Sequence, residues 1–194
     1  MQIIRANTCR VLPWKNGGGS TTEVAVSPPG ASTDDFDWRI SMARVASDGP
    51  FSHFAGIDRT LAVIKGRGLV LTVADRAPVE LATGSDSLSF PGDTPTSARL
   101  TDGEIIDLNV MTRRGRFTHD VLRVTQARSF EVADGDIAIA LSLDGHTLIV
   151  TNQHNERLDH GDAIMIPPGE TAGIQINPAA AAQCYLVRLR AQKP

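Results

Sequence analysis

The chain has 194 residues, 41% of them hydrophobic and 21% charged, which suits one large domain or two small fused ones with a core that needs neither metal nor disulfide for stability. Nineteen Lys and Arg against 22 Asp and Glu leave a net charge of −3, with no cationic excess for neutralising phosphates. Nucleic acid is thereby disfavoured, and no apolar run is long enough for a membrane span.

The opening residues, Met1 to Asn16, lack a charged leader followed by an apolar stretch. With only two cysteines, Cys9 and Cys184, and no metal-ligand spacing around them, the chain reads as cytoplasmic with reduced thiols. Seventeen Gly and 11 Pro break the sequence throughout, and no window sustains helical periodicity, so the fold class is all-β.

In chain order, the first half predicts strands at Thr22–Val26, Trp38–Ala43, Leu61–Ile64, Leu69–Val73 and Ile105–Met111. Lys65-Gly66-Arg67-Gly68, between two apolar runs, reads as a hairpin turn. From Thr118 the pattern restarts, with strands at Thr118–Val124, Phe130–Val132, Ile137–Leu143, Thr147–Val150, Asp162–Ile166, Thr171–Ile176 and Cys184–Leu189. Pro178 to Ala182 reads as a loop or a single helical turn. The short, even spacing suits sandwiches or barrels, and a weak shared pattern in the two halves suggests two copies of one architecture.

Gly161-x5-Pro167-x-Gly169 resembles the second signature of the cupin superfamily, a jelly-roll strand entered through Gly-Asp and left through a Pro-x-Gly turn. Metal-binding cupins place a His three residues after that Gly, and here the position is Ala172. None of His53, His119, His146, His154 or His160 has another His two residues away, as the first signature requires, so no metal or other cofactor is expected. His146, His154 and His160 lie in polar, turn-like sequence; His53 is open between a pocket and solvent.

Three stretches carry candidate function. In Trp14-Lys15-Asn16-Gly17-Gly18-Gly19, three glycines serve a tight turn or a close approach. A phosphate loop is excluded, since no GxxxxGK[ST] pattern or following helix is present. Either the segment is a flexible loop, or Asn16 and the amides of Gly17 and Gly18 wall a ligand site with Glu23 pointing inward. In Trp38–Ala43, alternation puts Arg39 and Ser41 on one face and Trp38 and Ile40 on the other, without deciding which face is interior. Asp107, Asn109 and Met111 share a face with the same ambiguity, and Arg39 would pair with Asp107 or Glu23. The run Arg113-Arg114-Gly115-Arg116 reads as a link between halves, with Arg113 able to reach back to Asp107.

These residues resemble the HutD/Ves family. The resemblance rests on Trp14 to Gly19 with Thr22-Glu23, Trp38-Arg39-Ile40-Ser41, Gly49-Pro50-Phe51-Ser52 followed by Phe54-x-Gly56-x-Asp58-Arg59, and Asp107-x-Asn109-x-Met111-Thr112-Arg113. It implies a bicupin of two fused jelly-roll barrels, 1–117 with a polar pocket and 118–194 short and degenerate. It also implies a metal-independent protein that binds a small carboxylate such as formylglutamate and modulates histidine utilisation. On that basis the ligand-binding set is Trp14, Asn16, Gly17, Gly18, Glu23, Arg39, Ser41, Asp107, Asn109 and Arg113. Arg39 would hold the carboxylate, Asn16 and Asn109 an amide or formyl group, and Glu23 and Asp107 would fix Arg39. The rival expectation is a metal-free isomerase or amide hydrolase with Glu23 or Asp107 as general base. A homodimer paired through sheet edges is a further expectation for cupins.

Overall fold

In the computed structural model, which describes residues 1–14, 17–170 and 173–192, the chain is all-β apart from one 3-10 turn at Ala6–Thr8. No helix among the described residues is long and apolar enough to cross a membrane. Two compact units form, one from residues 10–117 and the other from Met1–Cys9 together with the chain from Thr118 onward. The boundary predicted at 1–117 is thus corrected at its start. The opening strand β1 (Gln2–Ile4) pairs antiparallel with a strand of the second unit, at Ala163–Ile166.

The unit of residues 10–117 contains β2 (Arg10–Pro13), β3 (Gly19–Ser27), β4 (Trp38–Val45), β5 (Gly49–Pro50), β6 (Ile57–Lys65), β7 (Leu69–Val73), β8 (Val79–Leu81), β9 (Leu88–Pro91), β10 (Thr96–Leu100) and β11 (Ile105–Arg113). They make a six-stranded sheet in the order β2-β3-β4-β11-β6-β9 and a four-stranded sheet in the order β5-β10-β7-β8. Between the sheets lies a core in which Ala43, Val45, Leu61, Val63 and Ile105 meet Leu69, Leu71, Val73, Leu81 and Ala98. Each strand contributes alternate residues to it, as the pleat requires.

The second unit adds β12 (Phe117–Val124), β13 (Arg128–Glu131), β14 (Asp136–Leu143), β15 (Thr147–Val150), β16 (Asn155–Leu158), β17 (Ala163–Ile166), β18 (Gly173–Pro178) and β19 (Gln183–Ala191). Its sheets run β1-β17-β14-β19-β12 and β13-β18-β15-β16. Strand for strand, β12-β19-β14-β17 reproduces the order β4-β11-β6-β9, and β13-β18-β15-β16 reproduces β5-β10-β7-β8. The core here is Val124, Ala138, Ala140, Cys184 and Leu186 against Ile149, Leu158, Ile174 and Ile176.

The predicted hairpin at Lys65-Gly66-Arg67-Gly68 is corrected. β6 and β7 belong to different sheets, so the segment carries the chain across the core from one layer to the other. Glycine is required because a Cβ at Gly68 would stand 2.4 Å from the Leu81 carbonyl oxygen. Pro178 to Ala182 is the end of β18 followed by a turn, with the Ala182 amide donating to the Ala179 oxygen at 3.0 Å.

Candidate functional site

The polar residues singled out in the first half converge on the interior face of the six-stranded sheet. Ala43 and Val45 of β4 and Ile105 of β11 point into the inter-sheet core, and period-2 alternation places Arg39, Ser41, Asp107 and Asn109 on the same side. Register then fixes the neighbours: Glu23 lies opposite Ser41, Ser41 opposite Asn109, and Asn109 opposite Leu61. One step along, Met111 has Arg39 on one flank and Arg59 on the other.

Two guanidinium groups are therefore buried on this face, with Arg39 7% and Arg59 4% exposed. Arg39 donates from Nε to Glu23 Oε2 at 2.8 Å, which settles its partner as Glu23. Arg59 donates from Nη2 to Asn109 Oδ1 at 2.6 Å, and Asn109 Nδ2 donates to Asp107 Oδ1 at 2.5 Å. The Arg59 guanidinium carbon also lies 4.9 Å from the ring centre of Phe51, 5.3 Å from Phe90 and 5.5 Å from Phe54. Three aromatic faces hold the cation in place of water.

Burial dominates the electrostatics. It pushes the Asp107 carboxyl up to about 7, against the pull of the Arg59 charge and the hydrogen bond from Asn109. It lowers Arg59 to about 10, where the group remains charged at neutral pH; Asp107 opposes that shift and the like charge of Arg39 adds to it. Among the described residues, neither Arg59 Nε nor Asp107 Oδ2 meets a hydrogen-bond partner, although both are buried. Such groups cost on the order of 1–3 kcal/mol each when left unpaired.

Other expected site residues fall elsewhere. Asp107 is four residues from Met111, and its hydrogen-bonded chain leads to Arg59 rather than to Arg39. Arg113 does not reach Asp107, which is six residues away and so about 20 Å along an extended strand. Its guanidinium instead donates to the carbonyl oxygens of Phe36 at 2.9 Å and Asp34 at 3.0 Å. Trp14, Gly17 and Gly18 build the turn between β2 and β3. The Gly17 amide donates to the Trp14 oxygen at 3.1 Å, the Gly18 oxygen accepts from Ala46 at 2.9 Å, and the Trp14 indole donates to Thr21 Oγ1 at 2.8 Å. Gly19 pairs with Val45, six residues from Arg39, so this turn lies at the opposite end of the sheet from the two arginines. Asn16 and Ala172 lie outside the described residues.

Sequence reasoning left Arg59 out of the site. Its signal was a charged residue two places before Leu61, on the same alternation that carries Leu61 and Val63 into the core. His53, His146, His154 and His160 are exposed, and no group of three or more His, Cys, Asp or Glu among the described residues is arranged to hold a metal ion. Both cysteines are free. In the second unit, Asp162 of the Gly-Asp signature accepts from the Ala6 amide at 2.9 Å and from Arg5 Nη1 at 2.7 Å, clasping the chain's opening segment.

Comparison with known proteins identifies the family and the fold. Residues 6–186 match the HutD family model. A 21.2 kDa uncharacterised protein from the hutC 3' region of Pseudomonas putida is 37% identical over 117 residues, a match spanning 60% of each chain. Protein Ves of Cronobacter sakazakii is 35% identical over 143 residues, 73% of this chain and 77% of that one. Among solved structures, HutD from Pseudomonas fluorescens SBW25, obtained in a formate condition, superposes with a TM-score of 0.86 at 29% identity, covering 99% of both chains. An oxalate decarboxylase from Lactobacillus farciminis shares the cupin-like fold at a TM-score of 0.65 and 10% identity, over 100% of this chain and 86% of that one. The chain belongs to the HutD family.

Proposed function

We propose that residues 10–117 form the ligand-binding barrel of a metal-independent bicupin, whose other, shorter and degenerate jelly-roll barrel comes from residues 118–194, and that it binds a small carboxylate of the formylglutamate type. The observation that carries this reading is the pair of buried guanidiniums, Arg39 and Arg59, on either side of Met111, with Arg59 Nε left without a hydrogen-bond partner among the described residues. Arg39 is already paired with Glu23, whereas Arg59 meets no carboxylate directly, so a ligand carboxylate would supply Arg59 with the charge-assisted hydrogen bonds it lacks. The repeated strand order of the two units supports the bicupin description. The relative from the hutC region and the HutD structure from a formate condition support a role in modulating histidine utilisation, with a formyl or carboxylate group in the ligand.

Thermal-shift screening and calorimetry with N-formyl-L-glutamate, formate and small dicarboxylates test the proposal. Saturable binding that Arg39→Ala and Arg59→Met each weaken at least tenfold is the expected result. Undiminished binding by both variants removes the arginines from the site.

A second reading is favoured by Asp107. A carboxyl raised to about 7 is suited to accept and release a proton at neutral pH, as a general base in a metal-free isomerase or amide hydrolase would. Linear, saturable release of formate from N-formyl-L-glutamate, abolished by Asp107→Asn, would establish that reading.

A further inference from the structure

We infer that an anion arriving at Arg59 binds together with one proton, which Asp107 takes up, with Asn109 as the link between them. The inference rests on the anion-binding reading above and states how that site is regulated.

The geometry supplies the coupling. Arg59 and Asp107 face the same interior and are bridged by one amide, which accepts from Arg59 through Oδ1 and donates to Asp107 Oδ1 through Nδ2. Because Asn109 occupies Oδ1, Asp107 Oδ2 is left unpartnered among the described residues and is the atom able to carry a proton without breaking the chain. Of the other charged groups that alternation places on this face, Arg39 from β4 and Glu23 from β3 are already paired with each other, Arg10 and Lys65 are exposed, and Arg113 is held by the Phe36 and Asp34 carbonyls; His53, on the segment whose Phe51 and Phe54 pack on Arg59, is exposed. Across the core, the facing sheet contributes Leu69, Leu71, Val73, Leu81 and Ala98, none of which titrates.

In the free protein the positive charge nearest to Asp107 in effect is Arg59, which holds the carboxyl down to about 7 against complete burial. A bound anion neutralises Arg59. The carboxylate then faces a dry interior without its countercharge, an arrangement that favours the neutral acid. A proton from solvent binds Oδ2, and the hydrogen bond from Asn109 to Oδ1 survives. By linkage, whatever anion binding does to the proton affinity of Asp107, protonation does equally to the anion affinity. The sign follows. Well below pH 7, Asp107 is already protonated and affinity is independent of pH; as pH rises through 7 and beyond, binding must draw in a proton, and affinity falls.

Calorimetry of the wild-type chain at about pH 8 tests this, using N-formyl-L-glutamate and formate as probes, because their carboxylates are fully ionised there. Each titration is run in two buffers of different ionisation enthalpy. The expected result is a buffer-dependent heat corresponding to uptake of most of one proton, with affinity weakening toward tenfold per pH unit above about 7. Asp107→Asn should bind both probes with buffer-independent heats and a flat pH profile. Should that variant not fold, the wild-type buffer pair decides alone. Binding by the wild type with no proton uptake overturns the inference and leaves the anion site standing. Absence of binding by either probe overturns the anion-site reading and this inference together.

Discussion

Arg59 and Asp107, two buried groups of opposite charge on neighbouring strands, are joined through Asn109 rather than by a direct ion pair. A direct pair would satisfy both charges and leave little for a ligand. With an amide in between, each keeps one polar atom unsatisfied among the described residues, Nε on the arginine and Oδ2 on the aspartate. The stability cost of this arrangement is confined to a few side chains and predicts measurable pH behaviour.

The first prediction concerns stability. Asp107 stands near 3.8 when exposed and about 7 when folded, so the native state binds more protons than the unfolded state between those values. Unfolding free energy attributable to this group therefore decreases as pH rises from about 4 to about 7, by on the order of 4 kcal/mol at most, and levels off above. Urea denaturation across that range should show the decline in the wild type and a flatter profile in Asp107→Asn.

The second separates the arginines. Arg59→Met should weaken carboxylate binding at least tenfold, matching the loss of one charge-assisted hydrogen bond worth about 1.5–3 kcal/mol. Arg113→Ala should leave that binding unchanged, because its guanidinium is occupied by the Phe36 and Asp34 carbonyls. Instead it should speed amide exchange in residues 34–37. Parallel titrations of the two variants provide the comparison.

The third addresses the glycine segment. A Cβ at Gly19 would lie 2.1 Å from the Arg44 carbonyl oxygen and 3.0 Å from the Trp14 ring, so Gly19→Ala forces the β3–β4 pairing apart and should cost about 3 kcal/mol or more. At Gly17, φ is +73° with open space around the site, and Gly17→Ala should cost only about 1–2 kcal/mol. Thermal unfolding distinguishes a steric requirement at one glycine from a conformational one at its neighbour.

Much of the site was legible before the structure because β pleating is strict. Asp107 and Asn109 two residues apart had to share a face, as did Arg39 and Ser41. What alternation could not supply was which face is interior, because both sides of β4 are buried: Trp38 and Ile40 are as inaccessible as Arg39 and Ser41. Cross-strand register, which no local pattern encodes, decided that Arg39 meets Glu23 and that Asp107 belongs with Arg59. The same limit explains the predicted hairpin at Gly66 and Gly68. A glycine-rich link looks alike whether its strands pair or cross between layers. Short edge strands such as β5 and β8 escaped detection because two or three residues carry no period.

A fourth prediction tests the clasp on the opening segment. Asp162→Ala removes the acceptor for the Ala6 amide and for Arg5 Nη1, which should destabilise the second unit by about 1–2 kcal/mol and accelerate hydrogen exchange at Ile3 and Ile4. Mass-resolved exchange of the amino-terminal peptide gives the readout.

That clasp also constrains the order of events at the ribosome. Strand β1 precedes residues 10–117 in the chain, yet its partner β17 emerges some 160 residues after it, so residues 10–117 can complete both sheets while β1 still waits. Strand β1 is thus among the last to find its place. A fusion placed directly before β1 should perturb the maturation of the late-made unit and spare the early one.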